Sequence, residues 1–362
     1  MIDIRKGMEV ELEVEKLAFG GRALARVGNF VVFLDHAVPG QRARVRITAK
    51  KRRFAEGFVQ EVLSQSPQYV EPFCPSFGVC GGCSWQDLRY EEQLRWKHLQ
   101  VLEALEHLAG VNGAGVLPAV PSPETCWYRN KMEFSFSNRS WIERLDGDSK
   151  ERCKSEPLAL GLHVRRSFEP VLNIEDCFLE SPRAVEVLKG VREWCRETGL
   201  PAYSTRTHQG FWRFLVIREG KRSGQMLVNL MTTSQGDYSG VVERLANRLC
   251  TAFPHITTFI HSITDRKAQV AASDFSRILM GPGFIEDRLG PLHYRISPES
   301  FFQTNPLAAE QLYSAILQLG EFTGRETVWD LYCGTGSIAL FIAAQVQRVV
   351  GFEVSEEAVR DA

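Results

Sequence analysis

Long apolar runs are absent from this 362-residue sequence. The N-terminus, MIDIRKGMEV, has no apolar h-region, and no uninterrupted stretch approaches the ~20 apolar residues that a membrane span requires. With 44% apolar and 24% charged residues, the composition is that of an ordinary globular protein. We therefore expect a cytoplasmic protein with no membrane partner, and we expect it to be a monomer.

A disulfide framework is also not indicated. Nine cysteines are an odd number for such a framework, and a chain of this size without a signal peptide should keep its thiols reduced. Clustered cysteines in such a chain are more often metal ligands than disulfide partners. The cysteines of this chain are therefore candidate metal ligands.

The chain has little net charge, with a formal value of -1, so its overall charge does not indicate a polyanionic partner. Charge is nevertheless concentrated locally, because no acid lies between Asp35 and Glu56. The basic residues in that interval are Arg42, Arg44, Arg46, Lys50, Lys51, Arg52 and Arg53. This pattern predicts a positive face that binds RNA, with a solvated basic strand as the alternative.

The N-terminal residues have the pattern of short strands. Residues 8–15 alternate strictly between apolar side chains and glutamates, which is the period of a half-buried strand. Phe30 to Phe33 follow as a buried strand, Pro39 and Gly40 predict a turn, and residues 42–47 alternate again. This spacing predicts a small β-barrel of the oligonucleotide-binding type over residues 1–64.

Residues 65–290 mix helix-like and strand-like stretches, which predicts a central α+β domain. Tyr90 to Leu108 has helical periodicity and ends before Gly110, a plausible helix stop. Packing of this helix, over residues 90–109, on the catalytic domain is compatible with the sequence. The domain also contains the cysteine cluster.

Residues 291–362 begin an α/β fold of the Rossmann type. Asn305 and Pro306 form a good helix entry before an amphipathic run, and the strand TVWDLY, a CGTG turn, a helix from Ser337 and the strand RVVGFE follow. One βαβ unit cannot bury both faces of its sheet. We therefore expect this domain to be incomplete here, with apolar strand surface left uncovered and weak cofactor binding as a result.

The glycine loop predicts a nucleotide cofactor. Gly334, Gly336 and Ala339 fit the permissive form of the dinucleotide fingerprint, and Glu353 lies where an acid would bind ribose hydroxyls. Asp330, at the end of the preceding strand, would repel a pyrophosphate but would attract the cationic groups of S-adenosylmethionine. The loop therefore favours S-adenosylmethionine over a nicotinamide cofactor, and over glycines that serve only a turn.

Three cysteines lie within ten residues, in CPSFGVCGGC at residues 74–83. Cys80 and Cys83 form a C-x-x-C pair, and the glycines between them allow backbone amides to approach the sulfurs. The irregular spacing from Cys74 favours a [4Fe–4S] cluster over zinc, with inert core thiols as a third alternative. The candidates for a fourth ligand are Cys126, Cys153 and Cys177.

Several motifs together resemble the S-adenosylmethionine-dependent RNA (uracil-5-)-methyltransferases. They are, in chain order, CPSFGVCGGCSWQ, YEEQLRWK, YRNKMEFSF, LGLHVR, VLNIEDCFL, ISPESFFQTNP and DLYCGTG. The combination covers nearly the whole chain. On the same resemblance, the N-terminal barrel is similar to the TRAM module with which members of that family bind RNA.

The resemblance implies a set of functional residues. The cluster ligands that it implies are Cys74, Cys80, Cys83 and Cys177. The S-adenosylmethionine contacts that it implies are Gln303, Tyr332, Ser337 and Glu353, around the loop of Asp330, Gly334 and Gly336. Cys333, within that loop, is expected to pack or to line the cofactor pocket.

The resemblance also implies a chemistry. A cysteine thiolate adds to C6 of uracil, which makes C5 nucleophilic toward the methyl group. A base then removes the C5 proton, and the thiolate is expelled from C6 as the C5–C6 double bond forms again. We expect both the cysteine and the base beyond Ala362, so no catalytic residue is assigned and the chain by itself is expected to be inactive.

The substrate subgroup and the function class stay open at this stage. The stretch HSITDRKAQVA departs from the family pattern and leaves ribosomal and transfer RNA both possible. A non-catalytic RNA-binding iron–sulfur protein with a vestigial methyltransferase domain is the alternative. A radical methylthiotransferase is disfavoured, because its C-x3-C-x2-C spacing is not found here.

Overall fold

The computed structural model describes residues 4–113, 115–141, 153–167, 169–236, 238 and 240–362. The chain divides into two compact units, Met1–Pro121 and Ser122–Ala362. Within the described residues, no helix is long and apolar enough to cross a membrane. Residues 65–121 belong to the first unit, whereas the sequence assigned them to the central domain.

The first unit contains a closed five-stranded barrel, as the sequence predicts. Its strands follow the order β1-β2-β3-β5-β4 around the barrel. They are β1 (Glu9–Leu17), β2 (Ala23–Val27), β3 (Phe30–Leu34), β4 (Arg42–Lys50) and β5 (Phe54–Ser64). The alternation in β4 places Ala43, Val45 and Ile47 in the core and its arginines outside, which follows from the period of two in a strand.

A glycine allows the barrel to close tightly. A Cβ at Gly57 in β5 would lie 2.4 Å from Val45 and 2.9 Å from Leu34, both in the barrel core. Because no side chain fits there, the strands can approach each other closely only at a glycine.

Helix α1 (Tyr90–Leu108) packs on the barrel. Trp96 joins the barrel core, and the Gln100 side-chain amide donates hydrogen bonds to the carbonyl of Leu17 at 3.3 Å and to that of Ala18 at 3.2 Å. Lys16 and Glu103 form an ion pair at 2.8 Å. These contacts join α1 to the barrel of its own unit, and its packing on the catalytic domain stays a prediction.

The second unit is built on a seven-stranded mixed sheet with the order β12-β11-β10-β9-β6-β7-β8. The strands are β6 (Lys131–Trp141), β7 (Cys153–His163), β8 (Val171–Asn173), β9 (Trp212–Glu219), β10 (Met226–Thr232), β11 (Ile256–Ile263) and β12 (Phe275–Met280). Helices α2 (Pro182–Glu197) and α3 (Val241–Ala252) pack on this sheet. All residues of β9 and β10 are buried, which explains why those strands show no apolar-polar alternation.

A hairpin connects this sheet to the following helix. Strands β13 (Ile285–Leu289) and β14 (Leu292–Ile296) pair, and their apolar residues share a core with Leu227 and Ile260 of the sheet and Tyr313 of α4 (Pro306–Gly320). The Asn305 side chain accepts a hydrogen bond from the Ala308 amide at 3.0 Å. The helix entry predicted at Asn305 and Pro306 is therefore confirmed.

The last elements form a βαβ arrangement, as predicted. They are β15 (Thr327–Leu331), α5 (Ser337–Ile342), β16 (Arg348–Phe352) and α6 (Glu356–Asp361), and the two strands pair in parallel. The side chains of Trp329, Leu331 and Phe352 are largely exposed, and Trp329 and Phe352 contact each other with ring centroids 5.8 Å apart. Apolar surface on these strands is thus accessible to solvent.

Candidate functional site: a glycine loop and a basic barrel face

The loop between β15 and α5 adopts backbone conformations that favour glycine. Gly334 and Gly336 have φ of 57° and 69°. Tyr332 also has a positive φ, of 63°, and its side chain is exposed. A non-glycine residue in this region is uncommon and carries strain, which occurs most often at ligand sites.

Glu353 closes this loop from the next strand. Its carboxylate accepts hydrogen bonds from the amides of Gly334 at 2.8 Å, Val354 at 2.7 Å and Ser355 at 2.8 Å. The Ser355, Gly334 and Val354 amides lower the pKa of Glu353, so it is ionised at neutral pH. The predicted ribose-binding acid is therefore also the residue that connects β16 to the glycine loop.

Asp330 supplies the cap that helix α5 lacks at Gly336. Its Oδ2 accepts a hydrogen bond from the Ala339 amide at 3.1 Å, one of the amides left without a partner in the first turn of a helix. Burial raises the pKa of Asp330, and the Ala339 hydrogen bond opposes that shift. Asp330 and Glu353 thus place two carboxylates at the two strand ends that flank the loop.

Ser337 is already engaged by helix α4. Its hydroxyl lies 2.8 Å from the Tyr313 hydroxyl, and the Tyr294 hydroxyl donates to the Ser337 carbonyl at 3.2 Å. Burial raises the pKa of Tyr313, so both groups are neutral hydroxyls. The sequence did not identify Tyr313, because one tyrosine on an apolar helix face is indistinguishable from a core residue.

Gln303 lies in a segment that is fixed by Asn130. The Asn130 side-chain amide donates to the Gln303 carbonyl at 3.0 Å, and its backbone amide donates to the Thr304 carbonyl at 2.9 Å. The motifs YRNKMEFSF and FFQTNP, far apart in sequence, therefore meet at these bonds. The role of Gln303 as a cofactor contact stays a prediction.

The segment just before Gln303 is held by two buried charged residues that the sequence did not reveal. Asp361 of α6 accepts hydrogen bonds from the Ser297 amide at 2.9 Å and from the hydroxyls of Ser297 at 2.8 Å and Ser300 at 2.5 Å. Arg218 of β9 donates to the carbonyls of Pro298 and Ser300. Burial lowers the pKa of Arg218 to about 10, so it stays charged at neutral pH.

Three cysteine thiols, those of Cys195, Cys250 and Cys333, have raised pKa values. Burial, Asp330 and Glu353 raise the pKa of Cys333, burial raises that of Cys250 to about 11, and burial raises that of Cys195 well above its ordinary value. These three thiols are therefore protonated at neutral pH and are poor nucleophiles. Cys333 also packs against Gly351, where an added Cβ would lie 2.8 Å from its sulfur, in agreement with a packing role.

The cysteine motif forms a turn-rich loop in the first unit. The Phe77 amide donates to the Cys74 carbonyl at 3.0 Å, and the Cys80 amide donates to the Ser76 carbonyl at 2.9 Å. The Gly82 amide approaches the Cys80 sulfur at 3.4 Å, as the two glycines predict. The three thiols are half-buried.

The described residues do not assemble a metal centre. No three His, Cys, Asp or Glu side chains within them are grouped closely enough to hold a metal ion. Cys177, the implied fourth ligand, belongs to the second unit and is followed by Phe178, whose carbonyl accepts a hydrogen bond from the Trp127 amide at 2.7 Å. Four cysteine thiolates are the ligands that an iron–sulfur cluster takes, so the four implied cysteines supply the right donor chemistry.

The basic face of the barrel is less positive than the sequence indicates. The side chain of Arg42 pairs with Glu11 at 3.1 Å, and that of Arg44 pairs with both Glu11, at 3.3 Å, and Glu61. The acids come from β1 and β5, which flank β4 in the barrel. No acid lies close to these arginines in the sequence, but the neighbouring strands place Glu11 and Glu61 beside them.

Positive charge without a partner is found farther along the same face. In the described part of the chain, the side chains of Arg46, Lys51, Arg52 and Arg53 form no ion pair, and all four residues are exposed. Lys50 is exposed as well. The predicted RNA contacts therefore include a neutralised end, with Arg42 and Arg44, and a charged end, with Arg46, Lys51, Arg52 and Arg53.

The chain matches one family model and is similar to proteins named as RNA methyltransferases. Residues 5–59 match the family model of the TRAM domain. The chain is 38% identical to an uncharacterized RNA methyltransferase of Chlorobaculum tepidum over 100% of its own length and 75% of the relative's. It is 37% identical to an uncharacterized RNA methyltransferase of Nitratidesulfovibrio vulgaris, covering 98% of this chain and 73% of the relative.

A solved structure has the same fold. The crystal structure of Pyrococcus abyssi tRNA (uracil-54, C5)-methyltransferase in complex with S-adenosyl-L-homocysteine aligns with a TM-score of 0.69 and 22% identity. The alignment covers 97% of this chain and 74% of that one. At this identity the likeness establishes the fold alone.

Proposed function

We propose that this chain, which belongs to the RNA methyltransferase family of its relatives, transfers the methyl group of S-adenosylmethionine to C5 of a uridine in RNA. The observation that carries the proposal is the pair of carboxylates at the glycine loop. Asp330 and Glu353 end two neighbouring parallel strands, at the edge where α/β sheets bind their ligands.

The charge of this loop fits S-adenosylmethionine better than a dinucleotide. Asp330, at the end of the strand that leads into the loop, would repel a pyrophosphate and would attract the amino and sulfonium groups of the methyl donor. When bound, S-adenosylmethionine supplies an electrophilic methyl group. Asp330 would orient the cationic end, and Glu353 retains one lone pair beyond its three amide bonds with which to accept a ribose hydroxyl.

Attack on C6 of uracil requires a thiolate. Cys195, Cys250 and Cys333 have raised pKa values and are therefore unsuited to that role. The structural neighbour is named as a methyltransferase of uracil 54 in tRNA, which supports uridine C5 as the target but leaves tRNA and rRNA open for this chain.

The TRAM barrel would hold the RNA. Its exposed lysines and arginines beyond the paired Arg42 and Arg44 would contact phosphates. The [4Fe–4S] cluster is a separate part of the proposal and rests on the resemblance of Cys74, Cys80, Cys83 and Cys177 to the family ligands. Its role would be structural, because methyl transfer involves no redox step.

The test is methyl transfer from radiolabelled S-adenosylmethionine to unmodified tRNA and rRNA, with the product nucleoside identified by mass spectrometry. Formation of 5-methyluridine supports the proposal, and absence of methyl transfer to both RNAs would contradict it. Asp330→Asn should abolish most of the transfer, while a modified nucleoside other than 5-methyluridine would overturn the assigned reaction.

A further inference from the structure

An exposed phenylalanine lies on the charged end of the barrel face. Phe58 of β5 is 61% exposed, and it lies directly opposite Arg46 in the pairing of β5 with β4. A single exposed apolar residue needs no explanation in itself. Its position among the charges of β4 is what indicates a function.

In the part of the chain that the structure describes, the arginines of β4 change at this position from paired with acids to unpaired. On one side of Phe58, Arg44 is paired with Glu61 of the same strand as Phe58 and with Glu11. Directly opposite Phe58, Arg46 is exposed and forms no ion pair within the described residues, although it lies opposite Glu9 in the register of β1 with β4. Phe58 therefore lies where the neutralised part of the face ends.

Unpaired positive charge continues from there to the turn between β4 and β5. Arg53 is five residues before Phe58, which is about 17 Å along an extended strand. Lys51, Arg52 and Arg53 in this turn are all exposed. The ring of Phe58 thus lies opposite Arg46 of the neighbouring strand, and the strand that carries Phe58 begins after a basic turn.

We propose that Phe58 and Arg46 form a platform on which a base of single-stranded RNA stacks, with Lys51, Arg52 and Arg53 holding phosphates farther along the same RNA strand. This deepens the proposed function and rests on the RNA binding assigned there to the barrel. A flat aromatic ring with neighbouring cations is the usual combination in proteins that bind single strands. Duplex RNA keeps its bases stacked internally, so it cannot use the ring.

The experiment compares binding of a short oligouridine with binding of a hairpin duplex at several salt concentrations. Phe58→Ala should weaken oligouridine binding by about tenfold, because each stacked base contributes on that order. Duplex binding should be unchanged, and so should the salt dependence, because no phosphate contact is lost. Phe58→Trp should restore the affinity.

A matched control lies on the same strand. Val62 is 43% exposed and pairs with Ala43 at the neutralised end, so Val62→Ala should leave oligouridine binding unchanged. Three outcomes would overturn the platform: wild-type affinity for Phe58→Ala, an equal loss for the duplex, or an equal loss in Val62→Ala. Absence of any RNA binding by the unaltered protein would instead contradict the proposed function itself.

Discussion

The Glu353 carboxylate accepts a hydrogen bond of 2.8 Å from the Gly334 amide and thereby connects the end of β16 to the glycine loop. In the parent protein, three backbone amides donate to the two carboxylate oxygens of Glu353. A glutamine at this position has only one acceptor oxygen for them. We expect binding of S-adenosylhomocysteine, measured by calorimetry, to weaken by at least about tenfold, the effect of losing one charged hydrogen bond.

The control for this change is Glu356→Gln. Glu356 is exposed on α6, and its partner is Arg360 of the same helix at 3.1 Å. Its replacement should leave the affinity for S-adenosylhomocysteine unchanged. Equal affinities for the two variants would show that Glu353 does not contribute to cofactor binding.

The Asp361 carboxylate fixes the segment that precedes Gln303. In Asp361→Ala, the donors of Ser297 and Ser300 lose their acceptor in a buried site. The free energy of unfolding, measured with urea, should fall by about 1–3 kcal/mol. Glu356→Ala on the same helix should change it by less than about 0.5 kcal/mol, and a similar loss in both variants would contradict the role of Asp361.

Glu180 gives a prediction about pH. Its side chain is buried, only 1% of its surface is exposed, and neither carboxylate oxygen has a hydrogen-bond partner in the described structure. Burial raises its pKa well above the ordinary value, and Glu219 raises it further, while Lys221 and Arg129 oppose the shift. The folded state therefore retains a proton that the unfolded state has already lost.

The raised pKa of Glu180 makes the free energy of unfolding decrease as pH rises. The stability contributed by protonated Glu180 is complete below the pKa of the unfolded chain and is lost as pH rises through the folded pKa. Glu180→Gln, which is always neutral, should match the parent in acid and exceed it in unfolding free energy at neutral and alkaline pH. Parallel stability profiles, obtained by urea unfolding across this range, would rule out a raised pKa for Glu180.

The divided charge of the barrel face predicts unequal effects on RNA binding. Replacing Lys50, Lys51, Arg52 and Arg53 by Gln should weaken binding and reduce its salt dependence by about one unit of slope for each lost phosphate contact. Replacing Arg42 and Arg44 should have a smaller effect, because Glu11 and Glu61 already offset their charge. Equal changes in slope for the two sets would mean that the ion pairs open when RNA binds.

The iron–sulfur assignment is tested by purification without oxygen. We expect brown protein with about four irons per chain, as a [4Fe–4S] cluster requires. The Cys177→Ser protein should lose the colour and the Cys153→Ser protein should retain it, because Cys177 matches a family ligand and Cys153 does not. Stoichiometric zinc in place of iron, or retention of colour in both variants, would contradict the assignment.

Local patterns in the sequence were sufficient where structure depends on neighbours along the chain. The alternation in residues 8–15 and 42–47 predicted the barrel strands, and Asn305 with Pro306 predicted the start of α4. The glycines at 334 and 336 predicted a tight turn between a strand and a helix, and the structure has that turn with positive φ at both. A period of two, a helix cap and a positive φ each depend on only a few consecutive residues, so a sequence can specify them by itself.

Contacts between distant segments were decided by the tertiary structure alone. The sequence shows no acid near Arg44, yet Glu11 and Glu61 lie on the strands beside it and cancel its charge. Likewise, nothing in the sequence relates Asp361 to Ser300, or Asn130 to Gln303, although each pair is joined by a hydrogen bond. Charge and hydrogen bonding act through space over a few ångströms, so the sequence determined which groups are present and only the fold determined which of them meet.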